Sequence, residues 1–364
     1  MEFHLKNHVL YDFFSFELFN NDMIKFKLSF LLVLLSLGYC SFAQQDAQFS
    51  QYMFNGLYFN PGYTGVENLL RSTLIIRDQY TGYDPTNDDG GAPRSAILSV
   101  CTPIKDYKIG IGGYFLIDEI GPLRNINANL SASKHFAIKN GLLGLGINGG
   151  IYSQKFRNKY RVYQEDDDIY RYIIDPKNQV AQVVPDLNAG VWYEHKKYYG
   201  GVSFYHIPRS NLNYGSNKIS SELANHMYIT AGYRWQPAYT ITVTPSFIVQ
   251  TDLHQVTYLF GGLVEYNKKV WAGLNVRQSI AKREESKGGK TLSNDDIILY
   301  LGINVLKNKQ NQDALRIGYA FDFVTNGAPA KARTSHEIML SYMIPNVWGP
   351  QRPPVRTPRY RHEN

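Results

Sequence analysis

NINANLSAS, residues 125–133, alternates without a slip. Asn125, Asn127, Asn129, Ser131 and Ser133 fall on one side of an extended chain, and Ile126, Ala128, Leu130 and Ala132 on the other. Side chains alternate across a strand, so this stretch has one polar and one apolar wall. The pattern recurs. Leu143, Leu145 and Ile147 oppose Gly144, Gly146 and Asn148. Leu187, Ala189 and Val191 oppose Asp186, Asn188 and Trp192, and Leu315, Ile317 and Phe321 oppose Arg316, Gly318 and Asp322. Fourteen such segments run from 69–79 to 333–344, with no amphipathic helix of useful length between them. The chain is therefore expected to be all-β.

The connections separate a membrane barrel from a soluble sandwich. Links after even-numbered segments are short: 103–106, 138–141, 236–238, 267–268 and 307–311. Four of the links after odd-numbered segments are long: 80–92, 156–184, 208–222 and 282–293. A sandwich has no reason to sort its loops to one edge. An outer-membrane barrel has short periplasmic turns and longer external loops. The expected fold is a transmembrane antiparallel up-and-down β-barrel of about 14 strands, residues 69–344, in the outer membrane. The even strand count places both termini in the periplasm. Tyr107, Tyr198, Tyr199, Tyr239, Tyr258, Tyr266 and Trp271 lie near segment ends, where aromatic girdles would sit, although Tyr is also a good strand former. Arg71, Asp186, Glu194, Arg277, Arg316 and Asp322 fall on inward faces as candidate lumen residues. Pairing across the lumen would fill it; a dedicated ligand site is the alternative.

Ahead of the barrel, Lys25 and Lys27 precede an apolar run ending in Ser41-Phe42-Ala43. This reads as a signal peptide over residues 1–43, with Met23 as a natural start and cleavage between Ala43 and Gln44. Cleavage removes Cys40 and leaves Cys101, so no internal disulfide is expected. No later segment has the run of apolar residues that a spanning helix needs, which excludes a polytopic helical membrane protein. Residues 345–364 form a proline- and arginine-rich tail, expected on the periplasmic side.

The sequence offers no catalytic set. His195, His206, His226, His254 and His336 are scattered, without metal-pair spacing, and no Gly-x-Ser-x-Gly elbow occurs. Residues 84–90 resemble a calcium loop, but Asp89 stands at the glycine position and Ser95 at the closing glutamate position. Glu165 to Asp168 reads as an exposed acidic run. Catalytic residues, metal ligands and cofactors are not expected, nor is nucleic acid as a partner.

One stretch does not fit the alternation. QFSQYMFNGLYFNPGYTG, residues 48–65, has six Phe or Tyr among eighteen residues and no charge. Such a segment can pack inside a wide barrel, or cover its mouth, without burying charge. Residues 44–68 are thus expected as a plug or periplasmic segment, with Phe49, Tyr52, Phe54, Asn55, Asn60, Pro61 and Tyr63 as candidate plug or partner-contacting residues. Gln48 to Asn55, Asn60 to Gly65, Arg77-Asp78-Gln79-Tyr80 and Pro93-Arg94 together resemble the PorP/SprF family. The tail beyond Tyr342 departs from the terminal aromatic of simpler barrels. The resemblance implies an outer-membrane component of the type IX secretion system, linked to gliding motility. It implies a large secreted surface protein as partner, held through that protein's C-terminal domain, with periplasmic or translocon components and outer-membrane lipid as further contacts. A diffusion channel or solute transporter is the alternative function.

Overall fold

The computed structural model describes residues 46–81, 92–121, 123–156, 181–213, 220–252, 255–281, 292–307, 313–326 and 334–345. The expected signal peptide, residues 84–90, the acidic run at 165–168, His254 and the tail after Pro345 lie outside the described residues.

Alternation produces long antiparallel strands: β1 (Leu69–Asp78), β2 (Arg94–Ile104), β3 (Ile109–Ile120), β4 (Leu123–Ile138), β5 (Gly141–Phe156), β6 (Gln182–His195) and β7 (Tyr198–Tyr205). A small hairpin of β8 (Asn211–Asn213) and β9 (Ser220–Glu222) follows. The wall resumes with β10 (His226–Tyr233), β11 (Trp235–Ala238), β12 (Ile241–Thr251), β13 (Gln255–Tyr266) and β14 (Val270–Ala281). It ends with β15 (Leu292–Lys307), β16 (Asp313–Asn326) and β17 (Thr334–Pro345). Fifteen of these strands form one sheet. β10 and β11 are separated by Arg234 alone and both pair with β12, so they make one wall strand with an irregularity. The wall therefore has fourteen strands.

The sheet closes on itself. β1 pairs with β17 from Leu69↔Pro345 to Asp78↔His336, and β10 pairs with β12. Closure gives every wall strand two hydrogen-bonded neighbours, so no strand edge meets lipid. No helix among the described residues is long and apolar enough to cross a membrane; the strands do so.

The two faces differ as the alternation dictates. Leu130, Ile147, Leu299, Leu301 and Ile338 are exposed on the outside, where lipid would cover them. Asn127, Asn129, Asn188, Asn275 and Ser341 are buried inside. Two residues of the expected girdle face inward instead: Trp271 is 3 % exposed with its ring tilted beside that of Tyr300, while Tyr199 stacks on Trp192 with 5.5 Å between ring centroids. Their position in the alternation, rather than their nearness to a strand end, decides their face. Trp271 shares its side of β14 with Asn275 and Arg277.

Links 105–108, 139–140, 196–197, 239–240 and 267–269 lie at one end of the barrel, the short-turn end, as do the end of β15 and the start of β16. Asn267 and Lys268 both take positive φ, at 52° and 54°, which suits a tight hairpin turn matched to strand twist. The end of β1 and start of β2, the end of β5 and start of β6, the end of β7 and start of β10, and the end of β14 and start of β15 lie at the opposite, long-link end.

Candidate functional site

Residues 46–66 lie inside the barrel and fill much of its lumen. Uncharged between Gln48 and Val66, the segment makes three short helical turns, at Tyr52–Phe54, Gly56–Phe59 and Pro61–Tyr63. Asn60 starts the last one: its side-chain oxygen accepts from the Gly62 N–H at 2.8 Å, and its amide donates to the Val191 carbonyl of β6 at 3.0 Å. Pro61 supplies the fixed φ of a helix start.

Aromatic rings carry most of the packing. Phe54 meets Trp271 at 4.7 Å between centroids, Tyr58 meets Tyr114 at 5.5 Å, Phe59 meets Tyr228 at 5.6 Å and Tyr63 meets Trp192 at 5.3 Å. Such pairs contribute about 0.5–1.5 kcal/mol each beyond the area they bury. These four contacts reach β14, β3, β10 and β6, so the segment is held from several sides of the wall.

On the β4–β6 side the segment's backbone touches the wall directly, because the wall has glycine there. A Cβ on Gly144 would overlap the Gly62 carbonyl, and one on Gly146 would overlap Pro61. Gly146→Val is expected to push residues 60–64 off the wall and leave a closed barrel. Limited proteolysis should then cut within residues 46–66 while the protein keeps its heat-modifiable migration. Unchanged protection would count against the packing.

The opposite side is ionic. The Glu337 carboxylate accepts from the backbone N–H groups of Ser50 and Gln51 at 2.7 and 2.8 Å. The Ser50 hydroxyl donates to Asp322 at 2.6 Å and accepts from Arg277 at 2.8 Å and from Arg77. Arg77 pairs with Asp322 at 2.7 Å and with Glu337 at 3.3 Å, and Arg277 with Asp296 at 2.9 Å. Two guanidinium groups thus hold three carboxylates, all buried. An isolated buried charge is costly; here each has partners of opposite sign.

Of the six candidate lumen residues, this cluster brings Arg277 and Asp322 together. Arg71, Glu194 and Arg316 lie at the short-turn end, in separate pairs: Arg71 with Glu67 at 2.6 Å, Glu194 with Arg234 at 2.7 Å, and Arg316 with Glu265 at 3.5 Å. Burial raises the Glu67 pKa, but the Arg71 charge and hydrogen bond outweigh it and hold the carboxyl below its usual range. These pairs ring a recess of about 260 Å³ whose aromatic lining includes Tyr52, Phe54, Tyr63 and Trp192. An apolar floor under paired charges suits an amphipathic guest.

Asp186 stands apart at the long-link end. It accepts from His206 Nδ1 at 2.9 Å, while His206 Nε2 meets Asp46 at 3.0 Å. Asp46 also accepts from the Tyr228 hydroxyl at 2.7 Å and lies 3.8 Å from His226 Nδ1. His206 sits just past the end of β7 with φ at 57°, a left-handed conformation uncommon outside glycine. Burial alone would lower its pKa, but the Asp46 charge and the two carboxylate hydrogen bonds push it up to about 10. Burial would raise Asp46, but the charges of His226 and His206 hold it well below the usual carboxylate range.

The histidines expected to be scattered are therefore partly gathered: His206 and His226 converge on Asp46. Strand parity places β1's start at the short-turn end. It says nothing of the preceding segment, which runs back through the lumen and brings Asp46 to the other end. Arg77, Glu337, Asp296 and Arg234 were not singled out by the sequence as lumen residues. The inward parity of Ser335, Glu337, Met339 and Ser341 against outward Ile338, Leu340 and Tyr342 is the signal that finds Glu337.

The family model described as type IX secretion system membrane protein PorP/SprF matches residues 41–342. Among curated proteins none matches the chain in sequence. Among solved structures, the CymD monoaromatic hydrocarbon channel is 9 % identical, with a TM-score of 0.50 over 84 % of this chain and 94 % of that one. The TodX deltaS2S3 mutant monoaromatic hydrocarbon channel is 10 % identical, with a TM-score of 0.46 over 79 % and 94 %. Omp33 of Acinetobacter baumannii is 6 % identical, with a TM-score of 0.39 over 76 % and 99 %. At these identities the first likeness bears on fold alone, the closed β-barrel already described.

Proposed function

The chain belongs to the PorP/SprF family of type IX secretion system membrane proteins, and from that premise we propose that it helps export or anchor a large cell-surface protein, such as a gliding adhesin, through that protein's C-terminal domain. In this reading the short-turn end faces the periplasm and the long links face outward, as is general for outer-membrane barrels. Residues 46–66 serve as a plug that also shapes the docking surface. Tyr52, Phe54 and Tyr63 present aromatic faces to the recess at the periplasmic mouth, and Arg71, Arg234 and Arg316 stand around it. An incoming extended segment with apolar side chains and a terminal carboxylate has complementary chemistry.

The observation that carries this reading over a diffusion channel is the filled lumen. Phe49, Tyr52, Leu57, Tyr58 and Phe59 are all buried within it, on a segment fixed to the wall from several sides. A pore for solutes needs a continuous wet path, and packed aromatic rings oppose one.

The test is affinity purification of the tagged barrel from mildly solubilised outer membrane. The expected result is co-purification of a large surface protein whose removal of the C-terminal domain abolishes capture. Recovery of the barrel without such a partner, together with solute-selective conductance of the wild-type protein in planar bilayers, would overturn the proposal in favour of the channel.

A further inference from the structure

We propose that Asp46, His206 and His226 form a binding site for a divalent transition-metal ion, with zinc as the best chemical match, at the long-link end of the lumen. The three residues come from three separate parts of the chain: the lumen segment, the residue after β7 and the first residue of β10. Each offers one ligand atom, and these atoms all lie within 4.8 Å of one another.

The spacing suits a metal. Tetrahedral zinc with bonds of about 2.0–2.1 Å sets its ligand atoms about 3.3 Å apart. The His206 Nε2–Asp46 Oδ1 separation of 3.0 Å would open slightly, and the ligand atom of His226 lies within 4.8 Å of both. Two imidazoles and one carboxylate are borderline-soft donors, which favours zinc over calcium or magnesium, whose sites are built from oxygen. A fourth position remains for water.

Two further observations point the same way. His226 is 2 % exposed, its ring packs against that of His206 at 5.5 Å, its Nδ1 faces the Ala224 carbonyl at 3.1 Å, and its Nε2 is buried with no hydrogen-bond partner. A buried ring nitrogen left without a partner is unfavourable unless something unseen satisfies it. Asp186 accepts from His206 Nδ1 at 2.9 Å. A carboxylate on the far nitrogen of a ligating histidine fixes the ring and its tautomer, and is the usual outer partner of a zinc-bound histidine. A bound cation would displace the proton from His206, and the two negative charges of Asp46 and Asp186 would then balance the divalent ion. The ion would tie the lumen segment to β7 and β10, whatever partner the barrel holds.

The experiment uses the mature full-length protein, purified in detergent and stripped of metal. Cobalt(II) is titrated and followed by its visible absorption, and zinc by calorimetry. The expected result is one zinc per barrel and the intense bands of tetrahedral cobalt. His226→Gln and Asp46→Asn should each weaken zinc binding at least about 100-fold, and Asp186→Asn about 10–100-fold. All three variants should keep the heat-modifiable migration of the folded barrel. Failure of the wild-type protein to bind either ion stoichiometrically would overturn the proposal. So would undiminished binding in both His226→Gln and Asp46→Asn, which would place the ion elsewhere.

Discussion

Deleting residues 48–65 is expected to leave a folded, heat-modifiable barrel that conducts ions and no longer retains the secreted partner proposed for it. The wall forms its own closed ladder from β1 to β17, so its backbone hydrogen bonds survive the deletion. What disappears is the packing of Phe49, Tyr52, Phe54, Tyr58, Phe59 and Tyr63, together with the floor of the recess at the short-turn end. Polar wall residues such as Asn127, Asn188 and Asn275 then meet water, which solvates them at little cost. Planar bilayers should show large, steady conductance for the deletion variant and little for the wild type. Affinity purification should lose the large partner. A deletion variant that stays silent, or that captures the partner as before, would deny the segment either role.

Arg77→Met is expected to be the most damaging single substitution in the wall, costing about 3–5 kcal/mol, the usual range for breaking a buried ion pair from one side. Arg77 is 2 % exposed and joins Asp322 and Glu337, and Glu337 holds the backbone of Ser50 and Gln51. Without the guanidinium, three buried carboxylates face Arg277 alone. Adding Glu337→Gln to Arg77→Met removes one of those charges, so the double variant should be more stable than the sum of the two single losses implies. Urea unfolding in detergent checks both statements. A loss below about 1 kcal/mol for Arg77→Met would show that water already reaches the cluster and screens it.

The wall was legible because each strand residue makes a two-way choice, in or out, and the chain repeats that choice across fourteen strands. Asn125–Ser133 shows it most cleanly, and the same parity reaches Asp186, Arg277 and Asp322. It also decides Trp271 and Tyr199, which nearness to a strand end assigned to the wrong face. The burial of residues 46–66 was foreshadowed by composition: aromatic side chains with no charge have little reason to stay in water. Its path was not legible. The meeting of Asp46 with His206 and His226 spans 160 and 180 residues of sequence and depends on the segment's doubling back through the lumen. No spacing rule connects an acid before the first strand with histidines at the far ends of β7 and β10.

A closed barrel holds residues 46–66 inside itself. Thr64 and Ser131 report on that placement, because their hydroxyl oxygens lie 2.7 Å apart, one on the segment and one on the inner face of β4. Thr64→Cys and Ser131→Cys, in a chain with Cys101→Ser, should form a disulfide in intact outer membranes, seen by mass spectrometry as one linked peptide pair. Near-complete linkage is the predicted result. Two free thiols under oxidising conditions, in a barrel that remains heat-modifiable, would put the segment outside the lumen.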